Sequence, residues 1–313
     1  MNPPLTIRPE ITAAIAAGKP VVALESTLIA HGLPYPANRE TARAAEAAVR
    51  AGGAVPATIA ILKGRPTIGL SDEEVALLAQ TPGVFKASRR DLGACIALKR
   101  TAATTVSATM ALAHAAGIRT FATGGIGGVH RGARESWDVS ADLTELGRTP
   151  VAVVCAGAKS LLDLPATLEY LETLGVPVVG YSCDEFPSFY LTTSGLPLSA
   201  TVDGPDAAAR ILAAHWSLGG SGVVIAQPPP SHLALEPTQF ASWFGEAQRR
   251  ANAANVTGPA ITPFVLRELA QLSGGVTVEL NKALIIANAS LAGQIAVALA
   301  NQNAPTTSPT DLR

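Results

Sequence analysis

VAVVCAGAKSLLDLPATLEYLETLGVPVVGY, residues Val151–Tyr181, is the stretch that decides the fold class. Val151–Cys155 is a short run with no polar residue, the pattern of a strand buried on both faces. Ser160–Leu174 spaces its leucines among polar residues at helical intervals and predicts a helix. Val176–Tyr181 reads as a second buried strand. The same alternation extends outward. Val21–Glu25 and Gly222–Ala226 read as strands, and Thr120–Thr123 is a strand running straight into Gly124-Gly125-Ile126-Gly127-Gly128. Asn38–Arg50 and Thr104–Ala116 read as helices, the second stopped by Gly117. Apolar strands alternating with helices predict a largely parallel sheet covered on both faces. Ala57–Leu62 and Thr67–Leu70 flank Lys63-Gly64-Arg65-Pro66 as a hairpin, which adds an antiparallel component. The expected fold class is therefore α/β around a mixed, mostly parallel sheet.

No Gly/Ser-rich linker divides the 313 residues and no repeat is visible, so one domain over 1–313 is expected, with about 301–313 as a flexible polar tail. Hydrophobic residues make up 48% and charged residues 15%, which suits a large core and excludes global disorder. A net charge of −1 and only 4% aromatics provide neither a basic groove nor a stacking platform for nucleic acid. Cys95, Cys155 and Cys183 have no metal-ligand spacing and read as reduced, buried thiols of a cytoplasmic protein. MNPPLTIRPEI carries no signal-peptide core. The apolar stretch Ala283–Ala300 is interrupted by Asn288, Ser290 and Gln294, which favours a buried core or subunit-contact helix over a membrane span.

In open α/β sheets ligands gather beyond the carboxyl ends of the strands, where Glu25, the glycine cluster and Lys159 would meet. Lys159 is one of only six lysines, against 17 arginines, and lies between an apolar strand and an apolar helix start. Burial and a helix dipole there would favour a free amine suited to Schiff-base chemistry; an exposed lysine at an ordinary helix start reads the same way. Glu25 ends an apolar strand, where it could act as a general acid–base or simply cap the loop. Asp138, Ser140 and Asp142 in WDVSAD could hold a hard divalent cation with several waters, or sugar hydroxyls, or form a turn or cap. FATGGIGGVHRGA adds His130 and Arg131 to a glycine loop whose amides can cradle an anion. It matches neither the P-loop nor the dinucleotide fingerprint. Ser88-Arg89-Arg90-Asp91, after Lys86, is either a second basic cluster of the site or a solvated face.

Together these segments resemble a known family. ALESTLIAHGLPYPAN (23–38), GAVPATIAIL (53–62), SRRDL (88–92), TTVSATM (104–110), FATGGIGGVHRGA (121–133), DVSADL (138–143), the run from Val153 to Tyr181, DEFPSFY (184–190) and TPFVLRELAQLSGG (262–275) followed by Asn281 resemble the pseudouridine-5′-phosphate glycosidases, also called indigoidine synthase A-like proteins. The resemblance runs from about Val21 to Ala300. It implies a three-layer α/β/α sandwich, a homotrimer, and reversible cleavage of the C–C glycosidic bond of a small phosphorylated C-nucleoside into uracil and ribose 5-phosphate. It implies Lys159 as the imine-forming nucleophile, Glu25 as proton donor and Asp138 as the ligand of one Mn²⁺ per subunit. Substrate contacts fall on Lys86, Val106, Ser140, Ala141 and Asp142, with His130 at the phosphate and Thr123 and Asn281 at the base.

Three positions depart from the family pattern: Gln227 before Pro228, the pair Ala102-Ala103, and Ala287 before Asn288. Added methyls or a longer amide near a base pocket are either drift or the mark of a different aglycone; the second reading gives an alternative, a C-glycosynthase joining ribose 5-phosphate to an aromatic polyketide. A non-catalytic sugar-phosphate-binding protein is a further alternative, against which the presence of both Glu25 and Lys159 counts.

Overall fold

The computed structural model describes residues 5–256 and 258–302. In chain order the strands are β1 (Thr6–Ile7), β2 (Val21–Leu24), β3 (Val55–Leu62), β4 (Arg65–Ile68), β5 (Phe85–Ala87), β6 (Ala102–Thr104), β7 (Thr120–Ala122), β8 (Val129–His130), β9 (Ala152–Cys155), β10 (Leu162–Asp163), β11 (Val178–Tyr181), β12 (Ala200–Val202) and β13 (Val223–Ala226). The helices are α1 (Pro9–Ala16), α2 (Ala37–Ala51), α3 (Asp72–Gln80), α4 (Leu92–Ala97), α5 (Val106–Ala115), α6 (Ala133–Ser136), α7 (Ala141–Leu146), α8 (Leu164–Thr173), α9 (Pro205–Ser217), α10 (Pro237–Ala253), α11 (Ile261–Leu272) and α12 (Val276–Gln302).

Eleven strands form one sheet in the order β1-β4-β3-β2-β7-β9-β13-β11-β12, with β6 also on β3 and β5 on β6. From β3 to β12 every pairing along this path is parallel. The central strands β2, β9 and β13 are buried at every residue, as their unbroken apolar runs require. The antiparallel component is the pairing of β3 with β4 and β6. Lys63 and Gly64, both at positive φ, form the two-residue hairpin turn, so Arg65 and Pro66 lie in β4 instead of the loop. The mixed, mostly parallel sheet matches expectation.

Helices cover the sheet in two layers. The longest, α12, packs on α2 and α9 and across β2, β7 and β9. It is long and apolar enough to cross a membrane, yet 61% of its most apolar window is buried inside the fold. Gly52 and Gly293 let α2 and α12 approach closely; a Cβ on Gly293 would stand 2.9 Å from the Val49 carbonyl oxygen. In the other layer α5, α7 and α8 pack in succession, and α5 lies against β2, β3, β4 and β6. The main apolar cluster runs from Ile11 to Leu299 and includes residues of both layers and the sheet.

Several boundaries differ from the sequence reading. The segment Ser160–Asp163 is not helical. Leu162 and Asp163 pair with β8, and α8 begins only after Asp163, whose carboxylate caps the Ala166 amide, with Pro165 in the first turn. Thr104 belongs to β6: its amide donates to Ser26 Oγ and its hydroxyl to the Ile59 carbonyl, so α5 starts at Val106. Asn301 and Gln302 are the last residues of α12, so the segment read as a tail is helical at its start; residues 303–313 lie outside the described residues. Cys95 and Cys155 are buried free thiols, but Cys183 is only half-buried.

Candidate active site

Strands β2, β7 and β9 lie side by side and parallel, with Leu24, Ala122 and Val154 in register. Their carboxyl ends therefore deliver three segments to one edge: Glu25, the loop Thr123–Gly128, and the turn carrying Lys159. They open on a cavity of about 350 Å³. The eleven residues to which the family resemblance gives a role all line it: Glu25, Lys86, Val106, Thr123, His130, Asp138, Ser140, Ala141, Asp142, Lys159 and Asn281. They come from eight segments spread over more than 250 positions of chain. Arg131, also singled out beside the glycine loop, does not line the cavity; its guanidinium lies over the Phe244 ring.

Lys159 lies in the turn before β10, tied to the glycine loop through its amide to the Ile126 carbonyl. Its Nζ donates to the Gly125 carbonyl at 2.9 Å. Because α8 begins at Leu164, no helix terminus sits at Lys159, and the helix-dipole part of the sequence argument has no source here. Glu25 carries no ion pair within 4 Å among the described residues. Its Oε1 accepts from the Thr123 hydroxyl and its Oε2 from the Thr27 hydroxyl. Thr123 itself is buried, directly after β7.

The opposite wall is held by Asp142. Its carboxylate accepts from the Ser107 amide and the Gly127 amide, both at 2.9 Å. This binds α5, α7 and the glycine loop into one frame. Gly127 is obligatory there, since a Cβ would run into the Ser140 side chain and the Asp142 carboxylate. Ser140 caps α7, accepting from the Asp142 amide. Lys86 reaches the cavity from β5. Burial holds its pKa below the ordinary lysine value, with the nearby Lys159 charge acting in the same sense, against Glu25 and Asp142. Burial likewise lowers His130, opposed by Asp138, whose Oδ2 lies 3.9 Å from His130 Nδ1. The three cysteines take no part: Cys155 is enclosed and burial pushes its thiol up to about 12.

Asp138 is the one carboxylate of the WDVSAD segment free to take a cation. Its carboxylate is a third exposed and accepts no hydrogen bond among the described residues, whereas Asp142 is committed to backbone amides. No group of three or more His, Cys, Asp or Glu side chains converges on a metal position among the described residues. The donor set thus fits a hard cation that keeps several waters and leans on a substrate phosphate, as Mg²⁺ and Mn²⁺ do, and does not fit a caged ion.

Sequence reading missed other residues of the site. Thr27 follows Glu25 by two positions, close enough to signal a partner. His31 lines the cavity on a π-helical turn, Leu28–Gly32, with its Nε2 buried and without a hydrogen-bond partner among the described residues; burial and the Lys86 charge lower its pKa. Asn288, within α12, donates to the Thr123 carbonyl at 2.9 Å and the Gly124 carbonyl at 3.4 Å. Gly258, just before α11, and Thr262, Pro263 and Leu266 of its first turns close one side; the last three lie in TPFVLRELAQLSGG, to which the sequence reading gave no role in the site. Ser88 and Arg90 border the cavity, while Arg89 turns away to the buried Glu145 at 3.5 Å. Gln227, Ala102, Ala103 and Ala287 do not line the cavity, so the three departures from the family pattern lie outside it.

Known proteins with this sequence and shape are numerous. A pseudouridine-5′-phosphate glycosidase of Herpetosiphon aurantiacus is 57% identical over 296 residues, covering 94% of this chain and 98% of that one. One from Chloroflexus aurantiacus is 55% identical over 298 residues, with the same coverages. Among solved structures, the prealnumycin C-glycosynthase AlnA in complex with ribulose 5-phosphate superposes with a TM-score of 0.88 at 38% identity, over 95% of this chain and 97% of that one. An indigoidine synthase A-like protein from Thermotoga maritima gives 0.86 at 35% identity, over 96% and 98%. The profile of the family described as indigoidine synthase A like protein matches residues 10–298. The chain belongs to the indigoidine synthase A-like family.

Proposed function

We propose that this protein is a pseudouridine-5′-phosphate glycosidase, a single-domain enzyme that reversibly releases uracil and ribose 5-phosphate from a C-ribosyl phosphate. The observation that carries the reading is the Lys159 amine and the Glu25 carboxylate facing one cavity with Lys86 and Arg90, in a chain 57% identical to a glycosidase of that name.

The difficulty of the reaction is a carbon leaving group. Glu25 in its acid form gives a proton to the ring oxygen as the C1′–O4′ bond breaks, and the Lys159 amine bonds to C1′. The nitrogen, now carrying an extra proton, returns one to Glu25. Its lone pair then forms C1′=N while the C1′–C5 bond breaks. Glu25 protonates C5 of the base ahead of this break, using the C5=C6 electrons, so the pair of the broken bond restores C5=C6 and no carbanion forms. Water hydrolyses the iminium, gives up its spare proton to the Glu25 carboxylate, restores the amine and frees ribose 5-phosphate. Lys86 and His130 would receive the phosphate, and Ser140–Asp142 would contact the sugar. Thr123 and Asn281 would contact the base, and Val106 the sugar; all three line the cavity. Asp138, with waters, would hold one Mn²⁺ per subunit; such an ion supplies charge neutralisation at the phosphate end. We further propose a cytoplasmic homotrimer.

Leu28, Pro263, Leu266 and Ile285 give the cavity an apolar side. That favours a second reading, C-glycosynthesis onto an aromatic aglycone, with the sugar half of the mechanism unchanged. Both readings are tested together by incubating the protein with Mn²⁺ and pseudouridine 5′-phosphate, and separately with ribose 5-phosphate and a polycyclic phenol. Release of uracil is expected. No turnover of the nucleotide by folded protein, with coupling to the phenol, would replace the first reading by the second. Neither reaction would leave only sugar-phosphate binding.

A further inference from the structure

We infer that Thr27 and Thr123 form a reversible hydroxyl clamp that keeps the Glu25 carboxyl group in place through its changes of protonation; this rests on the proposed role of Glu25 as the proton shuttle. Each carboxylate oxygen has its own partner, Oε1 the Thr123 hydroxyl and Oε2 the Thr27 hydroxyl. Both partners are uncharged, and no Lys, Arg or His nitrogen stands within 4 Å of the carboxylate among the described residues. That choice of partner has a chemical meaning. A guanidinium, an ammonium or a backbone amide can only donate, so it holds a carboxylate and loses its bond when the carboxyl is protonated. A hydroxyl has one donor hydrogen and two acceptor lone pairs, and its hydrogen rotates freely. When Glu25 is ionised, both threonines donate to it. When it takes up a proton on one oxygen, the threonine on that side turns and accepts from the new O–H, while the other continues to donate. No heavy atom has to move.

The proposed reaction protonates Glu25 twice and deprotonates it twice in each turnover, so a partner that works in both states preserves the distances that proton transfer needs. The two threonines also anchor different parts of the fold. Thr123 is fixed at the end of β7, where Asn288 holds its carbonyl from α12. Thr27 opens the π-helical turn that carries His31. The clamp therefore fixes Glu25 between the sheet edge and that turn. Thr27 and Thr123 are positioning residues in this scheme. The remaining lone pair on Thr123 leaves it free to accept from a base N–H as well.

The test is uracil release by Thr27→Val, Thr27→Ser, Glu25→Gln and the Thr27→Val/Glu25→Gln pair, with thermal melting to confirm folding. Thr27→Val keeps the shape and removes the hydroxyl. Its kcat should fall about 10- to 100-fold, the range by which positioned acid–base groups act, with KM changed by less than about threefold. Thr27→Ser should recover kcat to within about threefold of wild type. In the Glu25→Gln background, Thr27→Val should cost less than about twofold, because residues acting as one unit are not additive. A full kcat in Thr27→Val, or an undiminished loss in the Glu25→Gln background, would overturn the clamp. An unchanged kcat in Glu25→Gln alone would instead overturn the role of Glu25 on which it rests.

Discussion

Glu25 and Lys159 stand out in the sequence because each is a polar residue just after an apolar strand, whereas Asp138 stands out only through the carboxylate pattern of WDVSAD and the family resemblance; all three face the cavity. What the sequence could not show is the set of partners that define them. Thr123 is 98 positions from Glu25, and Asn288 is 165 from Thr123. Asp142 was read as a cation or sugar ligand, but its carboxylate holds the Ser107 and Gly127 amides, and that pairing arises only when α5, the glycine loop and α7 are brought together. The burial of His31 and His130 has its own consequence. Burial lowers both pKa values below 6.5, so the unfolded chain binds more protons than the folded one between the lowered values and 6.5. Stability is then complete above about pH 6.5 and is lost as the pH falls below it. The melting midpoint should drop on going from about pH 7.5 to 5.5, and His31→Gln should flatten that slope. A slope identical in wild type and variant would show that His31 does not contribute.

Elements with a strong pattern were read correctly: the buried strands β2, β9 and β13, the helix α2, and the apolar α12. The errors fall where one local residue or one distant partner sets the boundary. Asp163 and Pro165 start α8 four residues later than its leucine spacing suggests, and this removes the helix terminus from Lys159. The strands β1, β5 and β12, two or three residues each, are too short to carry a period. At this scale α12 does more than fill the core. Through Asn288 it holds two carbonyls of the glycine loop, and through Asn281 it reaches the cavity. Asn288→Ala would leave the buried Thr123 carbonyl without this donor, a loss of about 1–3 kcal/mol. Denaturant unfolding should show that decrease together with a fall in kcat, as the loop carrying Thr123 and Gly125 loosens. Unchanged stability would mean that the loop is held by its other bonds alone.

Over the whole molecule, an unbroken sheet places the ends of β2, β7 and β9 at one edge, and two helical layers enclose the remainder of the cavity. The alternation of strands and helices foretold that edge, but not the wall contributed by the segment from Gly258 to Leu266, which lies far along the chain and which TPFVLRELAQLSGG marks as a family segment without marking it as part of the site. The positions that departed from the family pattern prove to lie away from the cavity, so choice of aglycone rests on the residues that do line it, Leu28, Pro263, Leu266 and Ile285 among them. The sugar half of the account rests on one bond, between Lys159 and C1′ of the ribose. Reduction with borohydride during turnover, followed by intact-mass and peptide mass spectrometry, tests it directly. The account predicts a single reduced ribose-phosphate adduct on the peptide carrying Lys159, absent in Lys159→Ala, which should also lack uracil release. An adduct on another residue, or undiminished turnover in Lys159→Ala, would contradict it.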